Sequence, residues 1–241
     1  MIDFHSHVLH HIDDGSHNVD ESITMLKMSY AQGIDTMVFT PHFRFGEYSI
    51  KEWLRLRQEK VDQIREALTE EDKKMIPRAV LSAEIEFHKD MNHWDYLGEF
   101  RIQGTNYIMT EMPFMPWTKQ NMEVVEDILY NTPYIPIIPH IDRYFHTFTE
   151  QKYIDRFYRI PVMVQMNAIY INGVHNVPFF KPLFDARKIQ LLGSDCHSME
   201  WRQPDLGQAI DRLREVCGQE ILDEIDARGR EMLKDAIYIE W

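Results

Sequence analysis

The sequence predicts an α/β chain folded as a distorted TIM-like barrel of seven strand–helix units, a (β/α)7 barrel. Two observations carry this. Short apolar runs alternate with helical stretches from one end of the chain to the other, the pattern of parallel strands joined by crossover helices. Histidines and acidic residues also stand at the C-terminal end of nearly every strand, where a parallel barrel collects its active site.

Ile2 to Val8 reads as a short apolar strand ending in a His-x-His pair. Alternate residues of a strand share a face, so His5 and His7 point the same way, close enough to hold one metal ion. On a helix the same spacing would splay them apart. His10 to His17 is a polar loop containing Asp13-Asp14-Gly15. Asn18-Val19-Asp20-Glu21 has the form of a capping box, opening a helix over 19–32 that stops at Gly33. Residues 35–40 form the second strand, broken by Pro41 and delivering His42. A loop with Arg44, Gly46 and Tyr48 leads to a long charged helix near 50–70.

Residues 79–87 form the third strand, carrying Glu84 and Glu86, and a short helical piece follows near 90–99. The fourth strand, 107–112, bears Glu111; a helix over 118–131 leads to the fifth, 135–140, which ends in His140. A helix over 150–159 precedes the sixth strand, 162–167. Another over 177–187 precedes the seventh, 190–195, which runs into Asp195-Cys196-His197. Two helices, 204–217 and 219–235, close the chain. No linker, repeat or low-complexity tract interrupts this order, so residues 1–241 are expected to form one domain.

With 44% hydrophobic residues in 241, the chain can bury a substantial core, and no apolar run is long enough to span a bilayer. A signal-peptide pattern is not expected at the N-terminus. Two cysteines make no disulfide framework and point to a reducing, cytoplasmic compartment. The formal charge of −13 argues against nucleic-acid binding, which needs clustered Lys and Arg. It leaves room for an anionic substrate, because bound divalent ions reverse the sign locally. The methionines are core packing material.

The barrel rule gathers His5, His7, His42, Glu84, Glu111, His140, Asp195 and His197 at one rim, with Asp14 able to join them. Imidazole and carboxylate together suit Zn²⁺, Mn²⁺ or Fe better than Ca²⁺ or Mg²⁺. Nine ligands exceed the needs of one ion and imply a cluster of two or three, of the kind that serves phosphate-ester hydrolysis. Glu86 shares Glu84's strand face by parity, so spacing alone does not separate the two.

His5-Ser6-His7, Thr40-Pro41-His42, Ala83-Glu84-Ile85, Glu111, Pro139-His140-Ile141-Asp142-Arg143-Tyr144 and Ser194-Asp195-Cys196-His197 together resemble the PHP (polymerase and histidinol phosphatase) superfamily. Asp13-Asp14-Gly15 and the His-Ile-Asp-Arg-Tyr run are similar to one branch, the manganese-dependent protein tyrosine phosphatases of bacterial capsular and exopolysaccharide synthesis. The likeness runs in matching order from residue 1 to about residue 205. It implies a PHP-type barrel holding two or three divalent ions, manganese foremost, with iron, zinc or cobalt as alternatives.

In that scheme His5, His7, Glu84 and Asp195 hold a first ion. Glu84 bridges to a second, completed by Glu111 and His140, and Asp14, His42 and His197 hold the third. Arg143 and Arg202 match the arginines that bind the substrate phosphate, a role to which a guanidinium fork is suited. The resemblance implies in-line attack on phosphorus and, as partner, a phosphotyrosine protein, a bacterial tyrosine kinase tail. The chain departs from the branch at Phe43-Arg44-Phe45-Gly46, with few basic residues, at Met112 to Trp117, and at Tyr170. These rim loops bear on the substrate and leave the metal residues intact.

Bland readings stand beside these. His10, His11, His17, His88, His93, His146 and His175 are left out of the ligand set, since a lone histidine is usually structural or exposed. For Arg143 and Arg202 the alternative is a surface salt bridge. Asn167 either contacts substrate or caps a loop. Cys196 and Arg202 have the Cys-x5-Arg spacing of cysteine-dependent phosphatases. The residues between them, however, include no glycine and one glutamate, so they do not form a backbone cradle for phosphate. Cys196 is expected to be a packing residue. Two further readings remain: a small-molecule phosphatase of the histidinol-phosphate type, and a non-catalytic metal-binding regulator.

Overall fold

The structure, a computed structural model, describes residues 1–145, 147 and 149–241. A parallel strand covered on both faces must be apolar nearly throughout, and the runs read above become β1 (Ile2–Ser6), β2 (Thr36–Phe39), β3 (His42–Phe43), β4 (Arg78–Leu81), β5 (Glu84–Glu86), β6 (Tyr107–Glu111), β7 (Ile135–Ile138), β8 (Met163–Asn167) and β9 (Leu191–Gly193). The order is β1-β2-β4 in one sheet and β3-β5-β6-β7-β8-β9 in the other, with every pairing parallel.

The expected second strand is β2 plus β3, interrupted at Pro41, which has no N–H to give to a ladder. The expected third is β4 plus β5, interrupted at Ser82 and Ala83. Across the breaks Ser82 N–H donates to Phe39 O (2.9 Å) and Glu84 N–H to Pro41 O (3.1 Å), so the two sheets are successive parts of one wall. Closure comes where β1 meets the chain beyond β9. Asp195 N–H donates to His5 O at 2.8 Å, His7 N–H donates to Cys196 O at 2.9 Å, and Ser6 pairs in parallel with Cys196. Among the described residues seven strand positions result, as the sequence predicts.

The helices are α1 (Val19–Ala31), α2 (Ile50–Ala67), α3 (Lys119–Asn131), α4 (Ile141–Tyr144), α5 (Gln151–Phe157), α6 (Ala168–Asn172), α7 (Val177–Asp185), α8 (Leu206–Cys217) and α9 (Gln219–Met232). At the expected box before α1, Asn18 accepts from Glu21 N–H, but the Glu21 carboxylate turns away to His17 N–H and to Met199 N–H (2.8 Å), tying α1 to the loop after β9. The piece near 90–99 is two 3-10 turns, Met91–His93 and Leu97–Phe100, not a helix. α5 and α9 are shorter than expected. α4 and α6 were not anticipated, because a single helical turn is too short to display a period.

One apolar cluster takes Ile2 and Phe4 from β1, Val38, Val80, Met109, Ile137 and Leu191 from five other strands, and Met232 from α9. Each strand residue precedes the site residue of its own strand or strand pair, so this cluster is the floor on which the site rests. A register irregularity in β1 lies between Asp3 and Ser6. Such irregularities re-aim side chains, and here the strand passes from Phe4 in the floor to His5 at the site. Gly193 is required by close approach: a Cβ there would meet His5 Cβ at 2.6 Å and Gln165 Nε2 at 2.7 Å.

Candidate metal centre

Strand ends place four imidazoles in a row. Ring centroids run from His140 to His5 at 5.5 Å, His5 to His7 at 5.2 Å, and His7 to His197 at 4.0 Å, with His42 beside His7 at 4.6 Å. Glu84 lies against the row. Its Oε2 is 3.1 Å from His5 Nε2, 3.3 Å from His7 Nε2 and 3.2 Å from His42 Nδ1, and its Oε1 is 2.8 Å from His140 Nε2. Glu111 Oε1 is 3.3 Å from His140 Nε2. Asp195 Oδ1 is 3.6 Å from Nε2 of both His5 and His7. Asp14 is more peripheral, half exposed, with Oδ1 3.6 Å from His42 Nε2 and 3.8 Å from His197 Nε2.

All nine residues expected as ligands are therefore in one place. Three triads have donor atoms mutually within 4.8 Å: His5, His7 and Glu84; His7, His42 and His197; and His42, Glu84 and Glu111. His42 thus faces Glu84 with one nitrogen and Asp14 with the other. Glu86 is exposed while Glu84 is buried, so burial separates the two that strand parity left equal.

Charge distribution follows from burial and contact. Burial opposes ionisation of Glu84, but His5, His42 and His140 hold its carboxyl well below the usual range. Asp195 behaves likewise, with His5, Arg143 and Arg202 outweighing burial. Burial works against a charge on His7 and His140, yet Asp13 and Glu84 lift His7 to about 10, and Glu111 and Glu84 lift His140 to about 9. Burial, then the neighbouring His7, pushes His197 down to about 2. The centre is an anionic cage that draws positive charge toward it.

The ring orientations fit a metal. His7 Nδ1 is 2.7 Å from Asp13 Oδ2, and His197 Nδ1 is 2.9 Å from the Asp195 carbonyl oxygen. With Nδ1 anchored on an oxygen, Nε2 is the nitrogen left for an ion, which would displace the proton that His7 otherwise holds there; such an anchor is the usual second contact of a metal-bound histidine. Among the described residues, Nε2 of His197 and Nδ1 of His42 are buried with no hydrogen-bond partner, while His5 Nε2 and His7 Nε2 stand 3.0 Å apart. Convergent lone pairs beside ionised carboxylates suit a divalent transition ion.

Three residues outside the expected ligand set support it. Asp13 takes His7 on one oxygen and the N–H of His42 on the same oxygen (2.8 Å), with Gly15 N–H on the other. Its side chain is 1% exposed, and although burial opposes it, His7 and His42 hold its pKa at about 2. Gln165 Oε1 accepts from His140 N–H (2.7 Å) and lies 3.4 Å from His5 Nδ1. Asn167 neither caps a loop nor faces the opening. It is fully buried, accepts from Gln165 Nε2 and donates to Asp195 Oδ2 at 2.8 Å.

Asp195 divides its carboxylate. While Oδ1 faces the imidazoles, Oδ2 accepts from Arg143 Nη2 and from Arg202 Nη1 (2.8 Å). Neither arginine is in a surface salt bridge: Arg202 is 11% exposed and Arg143 30%. His140 (φ 32°), Asp195 (φ 53°) and Arg202 (φ 53°) all adopt the left-handed conformation that side chains avoid. Such strain gathers at working sites.

Of the other histidines, His11, His17, His93 and His175 are exposed, His10 is bonded to Gln63, and His88 lies beside Phe45. His146 lies outside the described residues. Cys196 is fully buried among apolar side chains, and burial pushes its thiol far above the ordinary value, the reverse of what a nucleophile needs.

A family model for capsular polysaccharide synthesis, CpsB/CapC, matches residues 1–233. The chain belongs to this family. Among CpsB/CapC relatives, the tyrosine-protein phosphatase YwqE of Bacillus subtilis is 27% identical over 92% of this chain and 87% of its own. The tyrosine-protein phosphatase CpsB of Streptococcus pneumoniae is 25% identical over 93% and 94%. A solved chain from the crystallography of these two proteins, described as metal-dependent tyrosine phosphatases, matches with a TM-score of 0.79 at 23% identity, covering 100% of this chain and 97% of the other. It bears on the fold, which is the same barrel.

Proposed function

We propose that this chain is a metal-dependent phosphomonoesterase that removes phosphate from tyrosine in a protein of polysaccharide synthesis, with the tail of a tyrosine kinase as substrate. Its cofactor is two or three divalent ions, manganese foremost, held by His5, His7, Asp14, His42, Glu84, Glu111, His140, Asp195 and His197. The observation that carries this is the shared carboxylate of Asp195. One oxygen faces the cage and the other holds both Arg143 and Arg202, so a phosphoryl group gripped by the guanidiniums lies against the cage.

Bound ions supply Lewis acidity and a lowered water pKa at the phosphorus. The protein's own part is positional. Arg143 and Arg202 bind two phosphoryl oxygens and counter charge that grows during transfer. Asn167 and Asp195 keep the two forks aimed, and Asp13 and Gln165 fix the imidazoles that face them. The phenolate leaves without needing a strong acid nearby. Two free cysteines suit a reducing compartment, and among the described residues no helix is long and apolar enough to cross a membrane.

Purified protein analysed for metal and assayed on a phosphotyrosine peptide tests this reading. Turnover that needs added Mn²⁺ and stops with chelator is expected. Protein that retains metal yet hydrolyses no aryl phosphate overturns it.

A further inference from the structure

The buried stripe of α2 is Trp53, Arg57, Val61 and Ile64, which sets an arginine among core residues. Arg57 is 4% exposed, and its guanidinium carbon lies 4.9 Å from the centre of the Trp53 ring. Burial, opposed by the charge of Glu99, draws its pKa down to about 10. Among the described residues no acid forms a salt bridge with it, and its Nε is buried with no hydrogen-bond partner. A buried charge without a paired anion is costly, so the hydrogen bond that Arg57 does make needs a reason. Its Nη1 donates to Ser82 O at 2.7 Å.

The reason lies at the break in the wall. Pairing register carries straight across it, from Phe39 with Leu81 to His42 with Glu84. In such a parallel ladder Ser82 N–H donates to Phe39 O, as it does here, and residue 41 would donate back to Ser82 O. Residue 41 is a proline and has no N–H. Arg57 supplies the missing donor. One turn earlier on α2, Trp53 Nε1 donates to His42 O at 2.9 Å, while Asp13 accepts from His42 N–H. Thus α2 holds both broken strands at or just before the residues they deliver to the cage, His42 and Glu84, whose Nδ1 and Oε2 stand 3.2 Å apart.

We propose that Arg57 is a positioning residue of the metal centre: with Trp53 it fixes the backbone break that turns His42 and Glu84 into the cage. It lies outside the ligand set and acts through the backbone. Without it the carbonyl of Ser82, a fully buried residue, loses its donor where the chain changes direction, and the aim of Glu84 loosens. The proposal rests on the metal reading of the cage and not on the identity of the substrate.

The test is competitive chelator titration of Mn²⁺ on the full-length protein, with urea unfolding of the metal-free form beside it. Arg57→Met keeps an apolar stem and removes the donor. It should weaken Mn²⁺ binding by about tenfold or more, the scale of losing a residue that orients a ligand. Arg57→Lys, which keeps a donor and the charge, should recover most of that affinity. Val61→Ala, one turn along the same stripe, should lower the urea midpoint and leave Mn²⁺ affinity within about twofold. Unchanged Mn²⁺ affinity in Arg57→Met, or an equal fall in Val61→Ala, overturns the proposal while the metal reading stands. Trp53→Phe keeps a ring and loses the N–H to His42; it should weaken binding in the same direction, and the same readings apply to it should Arg57→Met not fold. Starting protein that binds no Mn²⁺ removes the metal reading and the proposal with it.

Discussion

The two ends of this barrel are built from the same strands by opposite rules. At the floor, Ile2, Phe4, Val38, Val80, Met109, Ile137 and Leu191 meet one another and α9, all apolar. Further along, the same strands deliver His5, Glu84, His140 and Asp195, as deeply buried but polar, with His42 and Glu111 slightly more exposed. The floor gains free energy from every side chain it removes from water. The rim loses it, because burying ionised groups is costly unless partners compensate. Left-handed backbone at His140, Asp195 and Arg202 adds strain there. Stability and chemistry are thus separated along each strand, and substitutions should sort accordingly.

The largest expected effect is at the rim. Arg143→Ala should lower turnover of a phosphotyrosine peptide by about 100- to 1,000-fold, the scale of losing one donor to developing charge. Metal content should stay at the level of the unsubstituted protein and the melting temperature should change little. At the floor, Leu191→Ala should do the reverse. Leu191 is fully buried, and a Leu→Ala change in such a place costs about 2–5 kcal/mol. Urea unfolding should detect it, while activity per folded molecule holds within a few fold. If Leu191→Ala reduced kcat as much as Arg143→Ala, the two ends would not be separable and the comparison would break.

Next comes Asp13, a buried acid that bonds His7 and His42 of the site and Gly15 beside it. Asp13→Asn keeps the shape but weakens the hydrogen bond that orients His7, and losses of this kind run to about 10- to 100-fold in metal affinity. Competitive chelator titration measures it, and excess metal should restore most of the activity. Unchanged metal affinity would mean that Asp13 merely braces the loop through Gly15 and His42.

Asp13 also marks the limit of what the chain shows before it is folded. Strand ends and their histidines stand out because parallel strands are short apolar runs and a His-x-His or Asp-x-His ends them conspicuously. Asp13, Gln165 and Asn167 act through hydrogen bonds to other strands, a relation that spacing does not encode. The adjacent Asp14 drew attention instead, and it proves the more exposed of the two. Glu84 and Glu86 share parity, and only their depth in the barrel distinguishes them. Pro41 announced an interruption, but the matching break at Ser82 and Ala83 had no such marker. The single-turn helices α4 and α6 lack the length for periodicity to appear.

The smallest effect belongs to an acid that resembles Asp195 in its partners but not in its place. At the start of β2, Asp35 accepts from Arg230 Nη2 at 2.7 Å and from the Met1 amine at 2.8 Å, and it is 45% exposed. Its partial burial is outweighed by Arg230 and the amine, which draw its pKa down to about 2. An acid depressed on folding adds stability above its unfolded value, about 3.9, and loses that contribution as pH falls through its folded one. The stability difference between the starting protein and Asp35→Asn should therefore be constant above about pH 4 and shrink between about pH 4 and pH 2. Water screens the pair, so the plateau should stay under about 1 kcal/mol and diminish in salt. A difference that instead widened on acidification would show that the carboxylate is not ionised in the folded barrel. In that case the contrast between a screened acid at the floor and a caged one at the rim would have to be redrawn.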